Sequence, residues 1–233
     1  MASTDGIDSR WLDANGAEPI AIIGSACRFS GTASNEDGLW QMLSSGRTSW
    51  ASNARNRFKM ESFWHPQAHL PGSTNARGVH LLHQDPAVFD NDFFGISGVE
   101  AKAIDPQQRL MLEVAYETFE NAGIPLNKLE GSNTGVFCAV SYTDYDQILG
   151  RDPETSPMYR FTGTGPSLTS ARVSYAFDLH GPSKSVDTAC SSALVAVHDA
   201  IQALRAGDAD QVLVGGSNLI LDPDKMSIIS SMQ

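Results

Sequence analysis

The chain has 233 residues, 41% of them hydrophobic, enough to bury the core of one substantial domain. Acidic residues outnumber basic ones 27 to 16, for a formal net charge of −11. That balance excludes a general binder of nucleic acid or anionic membrane, because such partners reward clustered Lys and Arg.

Residues 1–17, rich in Ser, Asp and Gly, read as a disordered leader without the apolar core of a secretory signal. No apolar run approaches the length of a membrane span. Three cysteines, odd in number and widely spaced, fit neither a disulfide framework nor a metal-ligand pattern. A soluble, cytoplasmic protein in a reducing compartment is expected, with its folded domain at residues 18–233.

Residues 20–24, Ile-Ala-Ile-Ile-Gly, are an apolar run stopped by glycine, the pattern of a short strand buried on both faces. Residues 35–45 read as a helix with Leu39, Trp40, Met42 and Leu43 apolar and Gly46 at its stop. Residues 47–104 read as long ordered loops with short elements. The basic run within them, residues 47–59, is broken by Trp50, Asn53 and Asn56 and reads as a solvated loop.

The clearest helix opens at Asp105, an N-cap carboxylate followed by Pro106 at the first helical position, and closes at Gly123. Leu110, Val114, Thr118 and Ala122 recur every four residues and predict its packing stripe. A strand follows at residues 134–140, then a loop through Phe161, then a helix over residues 167–177. A third strand over residues 183–189 runs into a helix beginning near Cys190 and ending at Gly207. The start of that helix is apolar nearly all round, which predicts burial. Residues 211–214 predict another buried strand and residues 217–221 a further extended run. Strands alternating with helices define an α/β layered domain.

The informative segment is Val186-Asp187-Thr188-Ala189-Cys190-Ser191-Ser192. A cysteine at a strand-to-helix turn sits at the positive end of the helix dipole, which favours the thiolate. The same N–H groups can stabilise the oxyanion formed when a thioester carbonyl is attacked. The competing reading is a buried small hydrophobe, the commonest state of free cysteine. Cys27 and Cys138 take that reading, the second because it lies mid-strand. Gly163-Thr164-Gly165 lacks the lysine of a phosphate loop, and Gly24 lacks dinucleotide-site spacing. Both are read as turns and close-packing glycines.

The stretch VDTACSSALVAVHDAIQALRAGDADQVLVGGSNLIL resembles the active-site block of β-ketoacyl synthases, and the likeness covers the chain from Glu18 onward. EPIAIIGSACRFSG resembles the family's opening strand. FDNDFFGISGVEAKAIDPQQRLMLEVAYETFENAGI and TGTGPSLTSARVSYAFDLHGPS resemble two further blocks in the family's order. The flavour is that of a fungal, highly reducing type I polyketide synthase.

The resemblance implies the N-terminal half of a thiolase-like layered fold, with Cys190 as the catalytic acyl acceptor. It also implies no directly bound cofactor. The acyl donor would be the phosphopantetheine arm of an acyl carrier protein, or another acyl or malonyl thioester. Such enzymes are dimers, which places residues 183–189 near a two-fold interface and pocket residues in the loop between Ser141 and Phe161. The reaction implied is decarboxylative Claisen condensation, which in the family uses two histidines in H-G-T-G-T and N-x-G-H motifs. His65, His69, His80, His83, His180 and His198 fit neither motif.

The sequence ends where family members are about halfway through the domain. No condensation by this chain alone is therefore expected, and the helix after Cys190 would lack part of its cover. The alternative is a non-catalytic remnant or interaction module that pairs with itself or with a ketosynthase second half. A cysteine hydrolase is disfavoured, because no Cys/His/Asn signature accompanies Cys190.

Overall fold

A computed structural model of the chain describes residues 18–52, 57–67 and 69–232. The leader expected at residues 1–17 and part of the basic run lie outside them. Helix α1, Glu36–Ser44, starts where the Asn35 side chain accepts the Gly38 N–H, and a positive φ at Gly46 follows its end. Strands β1, Trp50–Ala51, and β2, Val79–His80, form a small antiparallel ladder in the irregular region. Helix α2, Gly98–Ala103, is capped by the Ser97 hydroxyl, which accepts from the Glu100 N–H.

Helix α3, Pro106–Asn121, forms as its sequence predicts. The Asp105 carboxylate accepts the Gln107 N–H at 2.9 Å, Pro106 needs no partner at the first position, and Gly123 turns the chain away at φ +69°. Its core face differs from the predicted stripe. Met111, Leu112, Ala115 and Phe119 are buried in the main cluster, whereas Val114, Thr118 and Ala122 are only half-buried. The reason is a second neighbour, since Gly24 lies so close to α3 that a Cβ there would sit 2.6 Å from the Thr118 carbonyl oxygen.

After the short helix α4, Leu126–Leu129, comes β3, Thr134–Val140, with all seven residues buried. The expected loop through Phe161 contains α5, Asp144–Leu149, and leads to α6, Arg160–Thr164. Helix α7, Leu168–Ala176, matches its prediction. Strand β4 spans only Ser183–Val186, α8 spans Ser192–Ala206, β5 spans Gln211–Ser217, and α9 spans Asp224–Ser230. The expected extended run past residue 217 is therefore partly the end of β5, and no strand forms over residues 218–221.

The sheet is parallel in the order β4-β3-β5, with Ala139 opposite Val186 and Val140 opposite Ser217. Period-2 alternation splits β3 between two cores. Val136 and Cys138 face the cluster that includes Met111, Leu112 and Phe119 of α3 and Val173 of α7. Phe137 faces Ala196, Ala200 and Ala203 of α8. The result is helix, sheet, helix, the layered α/β class expected.

Two expectations fail. Residues 20–24 form no strand, because no ladder partner among the described strands runs beside them, and Ile22 is 92% exposed. Helix α8 is not buried all round. Its alanine face meets the sheet, while Leu194 is 77% and Val197 40% exposed, since no other described element covers that side.

Candidate active site

The carboxyl ends of the three parallel strands converge, and open α/β sheets bind ligands outside such ends. Beyond β3 the Ser141 hydroxyl donates to Asp187 Oδ1, just past β4, at 2.9 Å. Asp187 Oδ1 also accepts the Ala189 N–H at 3.0 Å, closing an Asx-type turn. Ala189 stands at φ +57°, in the left-handed region that residues with a Cβ enter at a cost. Cys190 follows it, and α8 begins two residues later. Strand β4 therefore stops three residues short of the expected 189, because Asp187 leaves the ladder to make this turn.

Serines lock the turn from below. The Ser192 hydroxyl, almost fully buried, accepts the Thr188 N–H at 2.8 Å and donates to the Ala189 carbonyl at 2.7 Å. Ser191, the residue before α8, does not cap it. Its hydroxyl donates back to the Thr188 carbonyl at 2.8 Å, so no side chain caps α8, although the Ser192 N–H donates to the Ala189 carbonyl at 3.2 Å and the Leu194 N–H to the Ser191 carbonyl at 3.1 Å.

The three cysteines are free and differ in surroundings. Cys138 is fully buried, and burial pushes its thiol up to about 12. Cys27 is half-buried and also raised, by burial first and then by the Glu36 carboxylate. Cys190 is exposed. The carboxylates diverge likewise. Burial raises Asp105 to about 6 against the opposing hydrogen bonds from Gln107. The Ala189 N–H, and then the Ser141 hydroxyl, hold Asp187 below the ordinary carboxylate range.

Sequence reasoning missed the braces at this end of the sheet. The Gln107 side chain donates to the Tyr142 carbonyl at 2.5 Å and accepts the Leu219 N–H at 3.1 Å, tying the exits of β3 and β5 to the start of α3. Asp144 Oδ2 accepts the Leu221 and Asp222 N–H groups at 3.1 and 3.3 Å. The one available signal was the Asp two residues before Ala189, an Asx-turn spacing.

Two clefts share Pro166; the first reaches the turn at Asp187, and Cys190 lines neither. One, of about 330 Å³, is lined by Val140, Ser170, Ser185 and Asp187. The other, of about 570 Å³, is lined by Thr143, Met158, Arg160 and Phe161. Gly163 lies against the Ala103 carbonyl with no room for a Cβ, in keeping with a close-packing glycine. Histidine partners lie away from Cys190. His180 bonds Asp178 at 3.0 Å, His80 bonds Ser49 at 2.9 Å, and His65 accepts the Gln67 N–H at 3.1 Å. Among the described residues no group of three or more His, Cys, Asp or Glu could hold a metal ion.

A parallel sheet between helices, carrying an exposed cysteine on a strand-to-helix turn, places the chain in the class of thiolase-like folds. The chain belongs to the β-ketoacyl synthase family, since residues 17–233 match the family model described as "Beta-ketoacyl synthase, N-terminal domain". It is 51% identical over 219 residues to the highly reducing polyketide synthase frbB of Dothideomycetidae sp. (strain 11243), covering 94% of this chain and 8% of that protein. It is 53% identical to the highly reducing polyketide synthase easB of Emericella nidulans, covering 93% of this chain and 8% of that protein. Among solved structures, the oxazolomycin ketosynthase domain of Streptomyces albus JA3453 aligns with a TM-score of 0.82 at 34% identity. That alignment covers 91% of this chain and 36% of the other. A ketosynthase from module 6 of the bacillaene synthase of Bacillus subtilis 168 aligns with a TM-score of 0.77 at 31% identity, covering 91% and 34%. The chain thus spans under a tenth of those two synthases and about a third of the ketosynthase chains.

Proposed function

We propose that this chain carries the acyl-accepting portion of a polyketide synthase ketosynthase, with Cys190 as the nucleophile. The observation that carries the reading is the placing of Cys190. It is exposed, it lies beyond the carboxyl ends of a parallel sheet, and it precedes a helix whose first N–H groups no side chain caps.

The reaction assigned to it is acyl transfer. The Cys190 thiolate attacks the carbonyl carbon of an acyl thioester, and the oxyanion faces the start of α8. Collapse expels the pantetheine thiolate, which takes up a proton, and leaves the acyl group on Cys190. The donor in this reading is the phosphopantetheine arm of an acyl carrier protein, acting as substrate. In this reading the acyl chain lies in the cleft lined by Val140 and Asp187, which reaches the turn three residues before Cys190. Condensation with malonyl thioester by decarboxylative Claisen chemistry would follow in a whole synthase, using histidines in H-G-T-G-T and N-x-G-H motifs that none of the six histidines here fits. No helix among the described residues is long and apolar enough to cross a membrane, which suits a cytoplasmic setting.

The test is direct. Incubation with an acyl thioester should add one acyl group by intact mass, and Cys190→Ala should remove the adduct. A folded, monodisperse protein that stays unmodified would sink the reading. A malonyl-consumption assay should show no condensation by this chain alone, and release of a condensed product would overturn that part.

A second reading, an interaction module, is favoured by the open faces. Leu194 and Val197 on α8 and Trp40 and Leu43 on α1 are exposed. Among the described strands β4 pairs with β3 alone, which leaves its outer edge for a second copy in this reading. A folded, unacylated dimer by light scattering would favour this reading over the first.

A further inference from the structure

The sheet's carboxyl end holds one residue in a conformation that needs a cause. Ala189 is at φ +57° immediately before Cys190, and only one other described non-glycine residue, Asp178, has a positive φ. Such a backbone persists only where its surroundings over-determine it. Asp187 Oδ1 provides that constraint twice. It accepts the Ala189 N–H at 3.0 Å, and it accepts the hydroxyl of Ser141, which belongs to the neighbouring strand's exit, at 2.9 Å. The Ser192 hydroxyl completes the clamp by taking the Ala189 carbonyl at 2.7 Å.

Ala189 is thus held at its N–H by a carboxylate and at its carbonyl by a buried hydroxyl. Without both, φ would relax towards the negative values that a Cβ prefers. Cys190 would then rotate relative to the start of α8. The Asp187 side chain is exposed and belongs to no hydrophobic cluster, so its hydrogen bonds rather than packing define what it does here.

We propose that Asp187 is a positioning residue for Cys190, acting by fixing the left-handed Ala189 and registering the turn against Ser141. The proposal rests on the reading of Cys190 as acyl acceptor only for its effect on acylation, since the thiol's aim can be read independently. Asp187 acts through the backbone of the turn, setting the direction from which the sulfur meets the substrate.

The experiment uses the full chain and two electrophiles, iodoacetamide and an acyl thioester, with rates followed by intact mass. Asp187→Ala should slow modification of Cys190 by the acyl thioester about tenfold, the change produced by roughly 1.4 kcal/mol of relieved backbone strain. Asp187→Asn, which keeps the Oδ1 acceptor, should recover most of the rate, and Ser141→Ala should give a smaller loss than Asp187→Ala. The decisive variant adds Ala189→Gly to Asp187→Ala. Glycine adopts this φ without strain, so the double variant should regain speed, which a loss of general stability would not allow.

Equal rates for the parent and Asp187→Ala overturn the proposal, as does a double variant slower than Asp187→Ala. If the parent is never acylated, the acyl-acceptor reading fails by itself. The iodoacetamide series then decides the positioning role by the same ordering of variants. Should Asp187→Ala not fold, Asp187→Asn and Ser141→Ala carry the test, and a tenfold loss in Asp187→Asn would reject the geometric account.

Discussion

Cys138 and Cys190 lie on the same sheet layer and face opposite fates. Cys138 sits mid-strand on β3 under α3 and α7, and burial lifts its thiol to about 12. Cys190 stands past the end of β4, exposed, at the start of α8. The same split divides two aspartates. Asp105, sealed at the cap of α3, is raised to about 6 by burial, whereas Asp187 in the turn is held low by two hydrogen bonds. It divides two leucines as well, Leu112 at 0% and Leu194 at 77% exposure. Residue type therefore says little about role in this chain. What the neighbouring elements cover decides whether a group is structural or available.

The strongest way to break that contrast is to exchange the cysteines' fates. Cys190→Ala should abolish the acyl adduct entirely, and Cys138→Ala should keep it while lowering stability by about 1 kcal/mol. An adduct that survives in Cys190→Ala and vanishes in Cys138→Ala would reverse the assignment. Next in size is alkylation. Peptide mapping after iodoacetamide at pH 8 should find Cys190 modified more than about a hundredfold faster than Cys138, until denaturant equalises them.

The leucines sharpen the contrast in stability. Leu112→Ala should cost about 2–5 kcal/mol by urea unfolding. Leu194→Ala should change stability by no more than about 0.5 kcal/mol. A large cost at Leu194 would mean that a partner covers α8 in solution.

The aspartates add a sign. Because the fold raises Asp105, the native state binds more protons than the unfolded chain between about pH 4 and 6. That contribution to stability is present at the acid end and is lost as pH rises through 6, at most about 3 kcal/mol. Asp105→Asn keeps a capping acceptor and cannot ionise, so its urea midpoint should lack this slope. Asp187 runs the other way, stabilising above the ordinary carboxylate range and fading as pH falls below it. Identical pH slopes for the parent and Asp105→Asn would show that burial does not govern this carboxyl.

Much of this architecture is legible in the sequence because local chemistry and tertiary packing agree. The Asp105-Pro106 start and Gly123 stop mark α3, and the unbroken run at residues 134–140 marks β3 to the residue. The cysteine's turn is legible from a strand pattern meeting a helix pattern. What could not be read depends on partners distant in sequence. Residues 20–24 carry a strand's composition and no ladder to join, because pairing is a property of two segments. Of the predicted α3 stripe only Leu110 is buried, since Gly24 takes the Thr118 side from 94 residues away, leaving the sheet to Met111 and Ala115. Asp187 looked like one more strand residue, and only the Ala189 N–H reveals its work.

The middle position of β3 has a consequence for how the protein is made. Thr134 pairs with Gln211, 77 residues later in the chain. At about 5–20 residues per second, a ribosome would leave that mostly apolar segment without its second neighbour for roughly 4–15 s. During that interval the β3 backbone groups that pair with β5 have no ladder partner, so this edge is the one most exposed to mispairing while the chain is being made.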